Sequence, residues 1–195
     1  MLDRYAKLAR RRGLPPWLAL TVLIIHKPDR RQPTMTESNR RHLFLALCAL
    51  ALLQTGAHIS QSYVNYPTWH LIEAESFKPY HWAITIRSVV FLLAPRLLEI
   101  VLGLIVLRFR PSAINRWVIL VGVGLAVGAF LATAFLSQPV HAQLDIQGNT
   151  PELLARLMAT DWIRNPLEVT RAALYVWVLS RMIKLNEPSA ARAIA

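Results

Sequence analysis

The stretch Trp117 to Leu136, WVILVGVGLAVGAFLATAFL, is twenty consecutive residues without an Asp, Glu, Lys or Arg. About 20 apolar residues in a helix cover the roughly 30 Å hydrocarbon layer of a bilayer, so it reads as a membrane span. Working outward, Leu43 to Ile59 (LFLALCALALLQTGAHI) is also uncharged. Val89 to Leu107 (VVFLLAPRLLEIVLGLIVL) is long enough to cross while carrying Arg96 and Glu99. Near the C-terminus, Ala172 to Ser180 is only nine uncharged residues. Asn165-Pro166-Leu167-Glu168 ahead of it has the form of a helix start: a cap, a proline at the first helical position and a Glu that reaches back. A helix from Pro166 to Leu185 gives a fourth crossing, with Arg181 and Lys184 snorkelling at its far end. The expected fold is all-α, a four-helix transmembrane bundle with spans near 43–60, 84–107, 117–137 and 167–185.

Composition points the same way. The chain is 54% apolar and 17% charged, against about 45–50% and roughly 25% in soluble domains. That balance argues against a soluble globular domain, a disordered chain or a disulfide-built secreted domain. The one cysteine, Cys48, lies in the first apolar block, so no intrachain disulfide is possible. A net charge of +11 would suit nucleic acid if basic and stacking aromatic residues alternated, but no such stretch, zinc-finger spacing or phosphate loop occurs. No nucleic-acid partner is expected.

The basic residues read as topology instead. Ten of the 22 Lys and Arg precede Leu43, three lie in Arg108–Arg116 and three follow from Arg181, against five on the opposite side: Lys78, Arg87, Arg156, Arg164 and Arg171. Cytoplasmic flanks are enriched in Lys and Arg. Both termini are therefore expected inside a cell membrane, most simply a bacterial inner membrane, with Ser60–Tyr80 and Ser137–Asn165 outside. The expected organisation is a basic N-terminal segment 1–41, a membrane domain 42–186 and a cytoplasmic tail 187–195. Met35 opens a hydrophilic lead, MTESNRR, into the first span. Two readings of residues 1–34 stand: a mis-assigned start with translation beginning at Met35, or a basic amphipathic segment on the inner leaflet.

Thr150-Pro151-Glu152 repeats the cap-then-proline form, and Leu153, Leu154, Leu157 and Met158 then share one helical face. This predicts a short interfacial helix in the outer connection. Trp69, Trp82, Trp162 and Trp117 fall near span ends, as an aromatic belt does.

Ionisable and polar residues at membrane depth need an explanation. Arg96 and Glu99 lie three apart, on one helical face, near the bilayer middle, where an unpaired charge costs about 2.5–3.5 kcal/mol or more. They form either a neutralised pair that locks packing or part of a buried polar site. Pro95 cannot donate to the Phe91 carbonyl, which predicts a kink. Gln54, His58 and Gln61 follow i, i+4, i+7 spacing, a polar stripe that must face the bundle interior. Glu168 and Arg171 repeat the three-residue spacing and are expected to close the outer mouth of the bundle. His58, His70, His81 and His141 share the outer side with Glu73, Glu75, Asp145 and Asp161. Spacing lends a metal or haem site little support, so no metal ligand is assigned and the cofactor is left open. Gly124, Gly128 and Ala132 form a small-residue ridge suited to close helix approach, within the chain or between two copies.

Tyr66-Pro67-Thr68-Trp69, Phe77-Lys78-Pro79-Tyr80-His81 and Asp161-Trp162-Ile163-Arg164 resemble the anthrone-oxygenase-like family of small four-span membrane proteins, over about residues 40–185. The resemblance implies a four-helix membrane bundle and, for some members, oxidation of polycyclic aromatic polyketides; it assigns no residue a catalytic role. The expected function is a small integral membrane protein that binds an amphipathic or aromatic molecule inside the bundle, with redox or proton-transfer chemistry. Glu99 or His58 would act as acid or base, Arg96 would hold a ligand oxygen, and Gln54, Glu168, Arg171 and Trp162 would line the site. The alternative is an accessory or structural subunit, without chemistry, packed against a partner.

Overall fold

A computed structural model describes residues 35–185; the readings made for 1–34 and for the tail 187–195 lie outside the described residues. Among the described residues all regular structure is helical. It forms four long rods: α1 (Glu37–Leu71), α2 (Ala74–Arg108), α3 (Arg116–Gln147) and α4 (Pro151–Leu185). The first three are long and apolar enough to cross a membrane. α1 and α3 each pack against both α2 and α4.

The rods start where capping chemistry places them. Thr36 Oγ1 accepts from Asn39 N at 3.2 Å, Asn115 Oδ1 from Trp117 N at 3.0 Å, and Thr150 Oγ1 from Leu153 N at 3.4 Å. The connections are tied side to side. Ser112 N donates to the Glu37 carboxylate at 3.1 Å, fixing the start of α1 beside the α2–α3 turn. At the other end Asn149 Nδ2 donates to the carbonyls of Trp69 and Ile72, both at 2.8 Å, clasping the α1–α2 and α3–α4 turns together. Gly148 lets the chain reverse there with φ +82°, a region that other residues avoid.

Rods of 32 to 35 residues are about 50 Å long, well beyond the roughly 30 Å a span requires. The surplus forms the two longer connections. Residues 60–80 and 137–165 are largely helical continuations, and they enclose an apolar cap of Tyr66, Trp69, Phe77, Val140, Leu144, Leu153, Leu154 and Leu157. The separate interfacial helix is therefore corrected. Leu153, Leu154 and Leu157 turn into this cap because Tyr66, Trp69 and Phe77 offer them a core, and only Met158 is exposed. Trp69, expected in an aromatic belt, is fully buried in the same cap, whereas Trp82, Trp117 and Trp162 are exposed. Pro166 does not start α4; it sits inside a helix that begins at Pro151. Asn165 is buried and accepts from Ser62 Oγ at 3.2 Å instead of capping.

A second apolar core, with Phe44, Leu47, Cys48, Ala51, Val106, Ile119, Tyr175 and Val178, fills the opposite half. The charges and the apolar surface are distributed inside out. Arg96, Glu99, Asp161, Arg164, Glu168 and Arg171 are buried, while Leu53, Phe91, Leu98, Val101, Leu104, Phe135, Val176 and Trp177 face outward.

Each of α1, α2 and α3 contains one π-helical turn: Gln61–Asn65, Val89–Leu93 and Thr133–Ser137. Each is closed by an i→i−5 bond, Tyr66 N to Gln61 O, Ala94 N to Val89 O and Gln138 N to Thr133 O. In all three the donor immediately precedes a proline: Pro67, Pro95 and Pro139. A proline has no N–H and its ring crowds the carbonyl one turn back; a wider turn relieves that crowding. The kink expected at Pro95 thus takes the form of a π turn.

Close helix approach occurs beside the expected ridge rather than along it. A Cβ on Gly122 would collide with the Tyr175 ring of α4, and one on Gly103 with Val123; Gly124 faces open space, and a Cβ on Gly128 would make an ordinary contact with Leu167. Gly122→Val is expected to destabilise the protein by about 1–3 kcal/mol through overpacking. Gly124→Val should change stability by less than about 0.5 kcal/mol. Denaturant unfolding in detergent compares the two.

Candidate functional site

Between the two apolar cores lies a polar layer built mainly from α2 and α4. Arg96 and Glu99, i and i+3 on α2, meet Glu168 and Arg171, i and i+3 on α4. The four charges alternate around a closed ring. Arg96 Nη1 donates to Glu99 Oε2 at 2.6 Å, and Arg96 Nη2 donates to Glu168 Oε1. Arg171 Nη2 donates to Glu168 Oε2 at 2.5 Å, and Arg171 Nε lies 2.9 Å from Glu99 Oε1, a charge contact whose angle is not that of a hydrogen bond. All four side chains are buried and their charges cancel. Arg171 Nη2 also reaches the Ala51 carbonyl and Thr55 Oγ1 of α1, both at 3.3 Å, so the ring holds three helices. The sequence pairing of Arg96 with Glu99 is present, but each is shared with a second partner from α4. Glu168 and Arg171 do not close an outer mouth. With α4 beginning at Pro151 they fall in mid-helix, beneath the cavity described next.

That cavity, about 400 Å³, is lined by residues from all four helices. The π turns of α1, α2 and α3 all contribute to it, through Gln61, Val89 and Thr133. Apolar groups such as Ile84, Leu92, Leu93 and Phe130 form much of its wall, and His58, Arg96, Arg164, His141 and Tyr66 supply its ionisable groups. The π turns open this space. α2 and α3 pack on each other below it, through Ala94–Arg108 and Arg116–Ala132, and above it, through Ala74–Ser88 and Gln138–Gln147, whereas Val89–Leu93 and Thr133–Ser137 are in slight contact at most.

Several expected site residues converge on this region. His58 and Arg96 line the cavity, with His58 Nε2 3.8 Å from Glu168 Oε1, so the ring and the cavity adjoin. Glu99, Glu168 and Arg171 stand behind them and do not line it. Gln54 is fully buried, and among the described residues its amide makes no hydrogen bond; the same holds for His58 Nδ1. Trp162, expected at the site, is 84% exposed on the outer surface of α4, because the inward face at that level is taken by Asp161, Arg164 and Asn165.

Arg164 was not assigned a role from the sequence, yet it is buried in the cavity wall, donates to Asp161 and leaves its Nε without a hydrogen bond among the described residues. The signal was available: Asp161 and Arg164 share the three-residue spacing of Arg96 and Glu99. The sequence reading placed His81 and His141 on the outer side without pairing them. They are directly bonded, His81 Nε2 to His141 Nδ1 at 2.9 Å, and His81 Nδ1 lies 2.6 Å from Asp145 Oδ1. His70, by contrast, bonds the Pro67 carbonyl away from them. Among the described residues no group of three or more His, Cys, Asp or Glu side chains is arranged to hold a metal ion. No family model, curated protein or solved structure matches the chain.

Cancellation around the ring sets a stability test. Arg171→Leu leaves two carboxylates facing one guanidinium and should cost about 3–5 kcal/mol. The double change Arg171→Leu/Glu168→Leu removes one charge of each sign and should recover at least half of that loss. Unfolding in detergent measures both; a double variant no more stable than the single one would refute charge balance as the ring's organising feature.

Proposed function

We propose that the protein is a four-span membrane bundle that binds a small apolar molecule bearing an oxygen head group in the cavity between α2 and α3. The observation that carries this reading is the cavity itself, walled by aliphatic side chains and provided with Arg96, Arg164, His58, His141 and Tyr66 at its polar side. Ligand sites share that composition: mostly apolar walls with a few convergent polar groups. The parting of α2 and α3 at their π turns gives a lipid-soluble molecule a lateral way in. Arg164, which gives one Nη to Asp161, holds a carbonyl or anionic oxygen better than Arg96, whose two Nη groups are already committed to Glu99 and Glu168. His58, with Nδ1 free of hydrogen bonds among the described residues, is the acid or base nearest the ring.

α4 counts as the fourth span in this reading. Its charges at 161, 164, 168 and 171 are buried against the other helices, while Trp162, Ile163, Val169, Val176, Trp177 and Ile183 face outward. An outward apolar surface suits lipid, and inward charges that compensate one another cost little there. The start of α1, the α2–α3 turn and Arg181 share one end, which carries Arg40, Arg41, Arg108, Arg110 and Arg116. The positive-inside rule puts that end in the cytoplasm.

Two measurements test these proposals. In lipid nanodiscs, 4-nitro-1-naphthol should bind above the level of empty discs, and Ala134→Trp, which fills the cavity wall, should weaken that binding about tenfold or more without lowering stability. If Ala134→Trp binds the probe as the natural sequence does, the cavity is not the site. For topology, a cysteine placed at Ser112 should react with a membrane-impermeant maleimide only after cells are opened, and one at Glu75 in intact cells; Cys48 is buried and gives a low background.

A further inference from the structure

Four side chains above the cavity form an unbroken polar line. Tyr66 Oη lies 3.5 Å from His141 Nε2, His141 Nδ1 2.9 Å from His81 Nε2, and His81 Nδ1 2.6 Å from Asp145 Oδ1. The two imidazole planes differ by 20° with centroids 5.2 Å apart, the separation of rings joined edge to edge through nitrogen. One end of the line, Tyr66 and His141, lines the cavity. The other end, the Asp145 carboxylate, is 36% exposed, while His81 between them is completely buried. Trp69 meets both imidazoles edge-on at 5.2 and 6.0 Å, and Phe77 lies 5.4 Å from His81. These rings sheathe the two imidazoles, while the Tyr66 hydroxyl at the cavity end faces Arg164. The remaining charged groups near it come from α4, Asp161 and Arg164, which are paired with each other.

The donor order follows from the exposed end. A carboxylate only accepts, so His81 Nδ1 carries hydrogen, and in the neutral ring that makes His81 Nε2 a lone-pair acceptor. His141 Nδ1 must then carry hydrogen, which leaves His141 Nε2 as an acceptor facing Tyr66 and the cavity. A buried pair serving only to hold α2 against α3 would not need its last acceptor turned toward a ligand-sized space, nor its first carboxylate in water.

We propose that Tyr66, His141, His81 and Asp145 are a proton relay between a cavity-bound ligand and water at the α1–α2 and α3–α4 turns, and that the ligand is a weakly acidic hydroxyl compound of the phenol class. This rests on the cavity reading above and narrows it. The ligand O–H gives its proton to His141 Nε2, directly or through the Tyr66 hydroxyl. His141 Nδ1–H passes to His81 Nε2, His81 Nδ1–H passes to Asp145, and Asp145 releases one proton to water. One O–H bond of the ligand breaks, one proton is delivered, the ligand becomes its phenolate, and no electron changes hands. The reverse sequence reprotonates the ligand and restores the first tautomers. Arg164, in the same wall, receives the phenolate charge.

The full chain in nanodiscs with 4-nitro-1-naphthol tests this, because the naphtholate absorbs at longer wavelength than the naphthol. After a stopped-flow pH jump, the ionisation rate of the bound probe is read in the natural sequence, in His81→Phe, which keeps a ring in the sheath, and in Asp145→Asn, which alters only the exposed end. Equilibrium affinity at one pH should stay within about twofold, while the rate in both variants falls about tenfold or more. An unchanged rate in Asp145→Asn and His81→Phe with affinity retained overturns the relay and leaves the cavity reading intact. Failure of the natural sequence to bind the naphthol overturns the ligand class and the relay together.

Discussion

Charges inside an apolar layer must cancel where they stand, and the ring of Arg96, Glu99, Arg171 and Glu168 is how this fold meets that constraint. Each ion alone would carry a desolvation penalty of several kcal/mol; alternation around a closed ring gives every one of them two opposite neighbours. The consequence is geometric as well as energetic. A pair three residues apart on one helix can neutralise itself locally, but a ring of two such pairs exists only when α2 and α4 face each other at one level and one rotation. Arg171 extends the arrangement to Ala51 and Thr55 of α1, so the ring also sets the depth of the first helix. The cavity then has a charged, rigid floor, with His58 at its edge.

The two apolar cores and the π turns complete that picture. Below the ring, Phe44, Leu47, Ile119 and Tyr175 pack tightly enough that Gly122 has no room for a side chain. Above it, Trp69 and Phe77 organise a second core at the other end of the bundle. The π turns beside Pro67, Pro95 and Pro139 all border the cavity, which occupies the level where α2 and α3 meet least. The buried charges of Arg96 and Arg164 thus stand at the wall of that cavity.

Much of this was legible in the sequence, and what was missed has physical reasons. Helical spans follow directly from uncharged length, as in Trp117–Leu136, and the interior position of Gln54 and His58 follows from the spacing of a polar stripe. Helix extent beyond the span was not legible. Trp69 looks like an interfacial aromatic until Val140, Leu144 and Leu157 are brought against it and its neighbours Tyr66 and Phe77, across 63 to 91 positions of sequence. Pro166 misled for a related reason. A proline after Asn is a sound start signal in isolation, yet it is also tolerated within a helix whose neighbours already fix its path. The bond between His81 and His141 joins residues 60 apart, and no local pattern encodes it. Arg164 was the one miss with a local cue, since its spacing to Asp161 repeats that of the pair recognised on α2.

A π turn is an α-helix holding one residue too many, and that surplus residue is a unit of genetic as well as structural bookkeeping. Excising a single residue from Val89–Leu93 would return α2 to regular geometry and turn everything on one side of the cut by about 100° relative to the other. Ile84 and His81 would swing away from the face that carries Arg96, although no side chain that lines the ring had been altered. In this chain, single-residue deletions and insertions in three short windows should therefore act on function much as substitutions of the polar residues do, and the reading-frame-preserving indel becomes an unusually direct probe of how the helices are phased.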